Sequence, residues 1–228
     1  MIQPTLKWFL ARIVVIIVAI DILCVQSFSS NVPKITFRKA QQSDLPAIAN
    51  LLIQTFDVND MVKDSGVSSV VFGNNLSTKS KEMYVEQLGK RMTLPQHILI
   101  VGVSDDGIIG FMELGTMPSP VSTRRQTYEY PFLANLAVDA KFQRQKVGTK
   151  LVQLAEKIAT RWCTTQDNKL IPDAAMYLAV EKDNLPAVSL YDRLHFSRVV
   201  DETKKLDTET INKLQRKPRL YFEKKLRS

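Results

Sequence analysis

The chain has 228 residues, of which 45% are hydrophobic and 24% charged, and its formal net charge is +8. That length and balance exclude a disordered, collagenous or repeat chain and suit one ordinary domain with its own core. The positive charge fits a polyanionic partner or cofactor; it is scattered apart from an excess between Lys204 and Arg227, without the interleaved aromatic residues of a nucleic-acid surface.

Residues 1–27 stand apart. Lys7 and Arg12 precede an apolar run from Ile13 to Ile20, which Asp21 interrupts before it resumes to Val25. A charged start, a short apolar middle and a small polar exit read as a removable signal peptide, and the run is short for a membrane span. The exit, Ser27-Phe28-Ser29-Ser30, resembles the bipartite leaders of algae with complex plastids, which implies plastid import, with secretion or an uncleaved membrane anchor as alternatives. Residues 28–34 would be a short linker or transit remnant. Cys24 falls in the leader, so Cys163 would be the one thiol left and no internal disulfide forms.

The folded part, 35–226, starts with a strand at Ile35–Arg38. Ser43-Asp44-Leu45-Pro46 predicts a helix start with Ser43 as cap, and Leu45, Ile48, Ala49, Leu52 and Phe56 follow at helical spacing. A loop is expected over 57–80, then a helix over 80–92. His97–Val103 and Ile108–Leu114 read as a hairpin around the turn Ser104–Gly107. Phe132–Asp139 is nearly continuously apolar, the mark of a central strand.

A polar loop, Ala140–Lys146, leads into a helix with Val147, Leu151, Leu154, Ala155, Ile158 and Trp162 on one face. Strand 174–180, helix 184–194, strand 196–200 and a last strand holding Tyr221 and Phe222 complete the order β-α-α-β-β-β-α-β-α-β-β. The fold class is α/β: a central mixed β-sheet with helices on its faces. His97 and His195 are far apart and have no cysteine pattern around them, so no metal site is expected and both read as structural or surface residues.

Two segments carry chemistry. Gln143-Arg144-Gln145-Lys146-Val147-Gly148-Thr149 puts two cations, a glycine and a hydroxyl at a helix start, where backbone donors and the helix dipole favour phosphate oxygens. It is neither a Walker loop nor a dinucleotide fingerprint. It resembles the acetyl-CoA pyrophosphate loop of the GNAT superfamily of N-acetyltransferases, Gln/Arg-x-x-Gly-x-Gly/Ala, with Gln143 first, Gly148 last and Lys146 in place of the middle glycine. A lysine there would require an ordinary backbone conformation.

The second segment, Asn184-Leu185-Pro186-Ala187-Val188-Ser189-Leu190-Tyr191, is similar to the Asn-x-x-Ala-x-x-Leu-Tyr signature of the same superfamily. His195 then stands where most members have glycine. Asn184 can cap the helix and Pro186 suits its first turn.

The resemblance implies a GNAT-type acyl-CoA N-acyltransferase fold and direct acetyl transfer from acetyl-CoA to an amine. The backbone of Leu136, Ala137 and Val138 would pair with pantetheine, Asn184 would contact the cofactor arm, and Tyr191 would protonate the leaving thiolate. Glu113 and Glu181 are the candidate bases, since the relatives' catalytic Glu position is held by Ala179. The Tyr-x-x-x-Leu-x-Asn-Leu-Ala-Val-Asp stretch is similar to plastid and bacterial members acting on protein N-termini and lysines, so a protein or peptide acceptor is expected. A small amine such as a polyamine or amino acid, or a non-catalytic CoA-binding role, is the alternative.

Overall fold

The computed structural model describes residues 34–56, 76–118, 129–171, 173–199 and 219–227. The leader, most of the expected 57–80 loop and the basic run starting at Lys204, up to residue 218, lie outside these. In chain order the elements are β1 (Thr36–Lys39), α1 (Leu45–Thr55), α2 (Leu76–Arg91), β2 (Ile98–Ser104), β3 (Gly107–Pro118), β4 (Glu129–Val138), α3 (Val147–Trp162), β5 (Ala175–Glu181), α4 (Leu185–Arg193), β6 (Ser197–Val199) and β7 (Arg219–Lys225). The strands form a seven-stranded sheet ordered β1-β2-β3-β4-β5-β7-β6. Every pairing is antiparallel except β4 with β5. The predicted element order and mixed sheet are what the structure shows.

Strand alternation splits the core into two layers. Leu99, Val101, Phe111 and Ala137 face α1, with Leu45, Ile48, Ala49 and Leu52 against them. Ile98, Ile100, Met112, Leu114, Leu133, Met176, Leu178 and Phe222 face α3 and α4, meeting Leu151, Val152, Ala155, Val188 and Tyr191. Phe222 is fully buried, so the aromatic pair near the C-terminus belongs to the fold. Each large apolar side chain buried this way contributes about 2 kcal/mol.

Several boundaries move. The helix expected from residue 80 begins at Leu76. β3 continues past Leu114 to Pro118 and β4 begins at Glu129 rather than 132, because the two extend as a hairpin ladder with Gly115↔Phe132, Thr116↔Pro131 and Met117↔Tyr130. Ser43 does not cap α1. It sits in a 3-10 turn, Gln42–Asp44, where the Asp44 carboxylate accepts from the Gln41 backbone N–H (2.7 Å) and from both Arg38 Nη atoms (2.6 and 2.9 Å). A charged acceptor satisfies an orphan helix-start donor better than a hydroxyl.

Candidate active site

β4 and β5 run side by side only briefly. Their ladder is Phe132↔Tyr177 and Leu133↔Leu178, and no register pair follows. Beyond it β5 stays paired to β7 as far as Glu181↔Arg219, while β4 stays paired to β3 as far as Val138↔Gly110. A bulge falls at that point: Glu113 pairs with Ala134 and Phe111 with Ala137, so two residues of β4, Asn135 and Leu136, oppose Met112. Asn135 takes a left-handed conformation, φ 50°. A bulge bends its strand and increases the local twist, which turns the end of β4 away from β5. The sheet therefore opens along Leu136, Ala137 and Val138, the stretch expected to meet pantetheine.

At the end of this opening lies the α3 N-terminus. Asp139 caps a 3-10 turn (Ala140–Phe142) by accepting from Lys141 N at 2.9 Å, and buried Phe142 anchors it. Gln143, Arg144, Gln145 and Lys146 are all exposed. Gln143 Nε2 donates to the Val138 carbonyl (3.3 Å) and Gln145 Nε2 to the Lys141 carbonyl (3.0 Å), which ties the loop to the strand. No side chain caps α3 from Lys146, whose carbonyl accepts the first helical bond from Lys150 N. The N–H groups of Val147, Gly148 and Thr149 are thus the helix-start donors available to an anion.

Lys146 departs from expectation. Its φ of 65° and ψ of 11° are left-handed, so it adopts the conformation suited to the missing glycine instead of an ordinary one. Arg144 (φ 63°) does the same. A side chain in this region costs about 1 kcal/mol, and two cations of the loop, Arg144 and Lys146, each carry that cost. Gly148 is not demanded by protein packing. A Cβ there would meet Leu190 Cδ2 at 3.5 Å and Val138 Cγ2 at 3.6 Å, ordinary contacts. The same contacts show that loop, β4 and α4 converge at this residue.

From α4, Asn184 caps the helix as expected, its Oδ1 accepting from Ala187 N at 3.2 Å. Tyr191 is 5% exposed and packs edge-on to Phe196 (5.6 Å) and tilted to Phe222 (5.9 Å). Its hydroxyl bonds to none of the described side chains, unlike an ordinary core tyrosine. Burial pushes its pKa well above the usual phenol value, so the group stays protonated. His195, in place of the usual glycine, is also left-handed, φ 61°. Cys163 is buried at the end of α3, and desolvation raises its thiol to about 11, an inert group.

On the other face, Glu113 lies inside β3 rather than at a strand end, and it is 4% exposed. Arg91 Nη1, at the end of α2, reaches its two oxygens at 2.9 and 2.8 Å, and Asn135 Nδ2 donates to Oε2 at 2.7 Å. His97 Nε2 comes within 2.8 Å of Oε1, with its N–H angled off the ideal line. Burial pushes the carboxyl pKa up, but the His97 contact, the Arg91 charge and the Asn135 amide outweigh it and hold the group below its ordinary value. Glu181 ends β5 on the same face, half-buried, two residues beyond Ala179. Arg91, His97 and Asn135 were not singled out by spacing. Arg91 and Asn135 each lie 22 residues from Glu113, and only the sheet register unites them.

Residues 72–196, more than half of the chain, match the model of the acetyltransferase (GNAT) family. The chain belongs to the GNAT acetyltransferase family. Solved structures agree on the fold. The histone acetyltransferase HPA2 and related acetyltransferase from Corynebacterium glutamicum is 18% identical, with a TM-score of 0.57, over 85% of this chain and 97% of that one. The PaiA N-acetyltransferase from Thermoplasma acidophilum, solved with coenzyme A, is 17% identical with a TM-score of 0.51 over 84% and 99%. The ribosomal-protein-S18-alanine N-acetyltransferase from Escherichia coli is 14% identical with a TM-score of 0.51 over 86% and 96%. No curated protein matches the sequence.

Proposed function

We propose that this acetyltransferase moves the acetyl group of acetyl-CoA directly to a primary amine of a protein, an N-terminus or a lysine, with Tyr191 as the acid. The observation that carries the reading is the parting of β4 from β5 after Leu133 and Leu178, beside an uncapped helix start. Strand-edge amides and carbonyls left without a ladder partner suit the two amides of pantetheine, as an added strand would. The α3 N–H groups with Arg144 and Lys146 suit the pyrophosphate, and Gly148 leaves room for it.

In the transfer, the amine nitrogen bonds to the thioester carbonyl carbon, the C–S bond breaks, and its electron pair goes to sulfur. Holding both partners in register supplies much of the rate, and a backbone N–H near Leu136 suits the developing oxyanion. Tyr191, protonated and with no hydrogen bond to a described residue, gives the sulfur its proton. A protein acceptor is favoured over a polyamine because the buried carboxylate on the acceptor face, Glu113, is already neutralised by Arg91. The leader reading makes the compartment a plastid, which a fluorescent fusion of residues 1–34 tests.

The experiment is calorimetric titration of acetyl-CoA into the native chain and Tyr191→Phe, followed by thiol release with a free-N-terminus, lysine-containing peptide and with spermidine. Binding in both, turnover on the peptide, and loss of turnover only in the variant are expected. A folded native chain that does not bind acetyl-CoA contradicts the reading.

A further inference from the structure

We infer that His97, held by Glu113, is the proton acceptor for the incoming amine, a role that rests on the acetyl-transfer reading above. Faces decide the placement. A Cβ on Gly110 would strike Val147 and Leu151 of α3, so Gly110, Met112 and Leu114 face α3. Phe111, Glu113 and Gly115 alternate with them and face α1 and α2. The anion-binding loop belongs to the α3 side. A cofactor with its phosphates there and its arm through the sheet opening presents its thioester toward the opposite face. That face carries Glu113 and His97.

His97 sits one residue before β2, so the pairing Ile98↔Leu114 sets it against Gly115. The Nδ1–Cε1 edge of the ring lies over that glycine: a Cβ there would come within 2.8 Å of Nδ1 and 3.0 Å of Cε1. Gly115 in turn pairs with Phe132 and Phe132 with Tyr177, the first of the two register rows that β4 and β5 share. Asn135, at the bulge that opens the sheet, donates to the carboxylate that His97 faces. A continuous polar path therefore runs from the opening through Asn135 and Glu113 to the imidazole.

The two nitrogens of His97 have different tasks. Nε2 is fully buried and 2.8 Å from Glu113 Oε1, which fixes the tautomer with its proton on Nε2. The side chain keeps 14% exposure, none of it at Nε2, and in that tautomer Nδ1 carries the lone pair. Glu113 cannot serve directly, because Arg91, Asn135 and His97 occupy both its oxygens; it is a positioning residue. The charged groups facing His97 are Glu113 on β3 and, across that carboxylate, Arg91 on α2. Of the other charges nearby, Glu86 and Lys90 of α2 bond to each other, and Glu129 of β4 accepts from Thr116.

The step balances. The ammonium of the acceptor gives one proton to Nδ1, the neutral amine attacks the thioester carbon, sulfur leaves with its electron pair and is protonated by Tyr191, the proton shed by the nitrogen as the amide forms restores the Tyr191 phenol, and the imidazolium returns its proton to solvent.

The test uses the full chain with acetyl-CoA and the lysine-containing peptide. His97→Gln should lower kcat/KM about 100-fold, while acetyl-CoA affinity stays within about threefold and added imidazole rescues His97→Ala. Glu113→Gln should lower kcat/KM by a smaller factor while leaving acetyl-CoA affinity within the same limit. Nitrogen NMR of the native chain should find the neutral imidazole protonated on Nε2. An unchanged kcat/KM in His97→Gln, or a neutral tautomer protonated on Nδ1, overturns the assignment. Loss of acetyl-CoA binding in the native chain overturns the parent reading, a separate outcome.

Discussion

The two halves of the sheet differ in what their backbones hold. From β1 to β4 the ladders are long: β3 alone pairs from Gly107 to Leu114 with β2 and from Gly110 to Pro118 with β4. β5 and β7 are likewise paired along their whole lengths. Between the halves stand two register pairs, Phe132↔Tyr177 and Leu133↔Leu178. Side-chain packing across α3 and α4 holds this junction together, with Met176, Leu178, Val188 and Tyr191 in one cluster with Leu133 and Val147. A sheet that is stable on either side of an incomplete seam can keep backbone hydrogen-bonding groups ready for a ligand without strain in the ladders themselves.

If the seam is the reaction site, Tyr191→Phe should break its chemistry and spare its structure. The expected outcome is a drop in kcat of about a thousandfold, read by thiol release, with the melting temperature nearly unchanged because the lost hydroxyl bonds to no described side chain. The next largest effect should come from the β2–β4 half. Glu113→Ala leaves Arg91, His97 and Asn135 without their common acceptor and should cost about 3 kcal/mol in urea unfolding.

Acid should reach the same half first. Glu113 and Asp44 both sit below their ordinary carboxyl values, Glu113 through His97, Arg91 and Asn135 acting against burial, and Asp44 chiefly through its hydrogen bond from Arg38. Each binds fewer protons folded than unfolded, so its contribution is complete above the unfolded value near 4 and is lost as pH falls through the folded value. Thermal unfolding should show a plateau above about pH 5 and a steep decline below about pH 4.

The smallest effect belongs to the loop beside the seam. Lys146→Gly removes a left-handed side chain but loosens the unfolded chain, for a net gain of about 0.5 kcal/mol. It should also flatten the salt dependence of acetyl-CoA binding through the lost charge.

Much of this was legible in the sequence. Periodicity and turn residues gave the order of strands and helices, and the two family segments located the loop at Gln143–Thr149 and the helix that carries Asn184 and Tyr191. What was hidden depends on register. Nothing local marks Asn135 as a bulge, because its φ is set by how β4 meets β3. Glu113 read as a strand-end carboxylate since its partners lie on α2, before β2 and on β4. The left-handed Lys146 was missed for the opposite reason: a local preference for ordinary φ was overridden by the loop's anchoring through Phe142 and Gln145. The hairpin strand read as ending at Leu114 runs on through Gly115, which makes room for the His97 ring.

Amide hydrogen exchange with and without saturating acetyl-CoA tests the central claim most directly. Slowed exchange is expected at 134–138 and 147–149, with the β2–β3 ladder around Leu99–Val101 unchanged. Binding that leaves 134–138 unprotected, or protects the two regions alike, would contradict a cofactor seated in the seam.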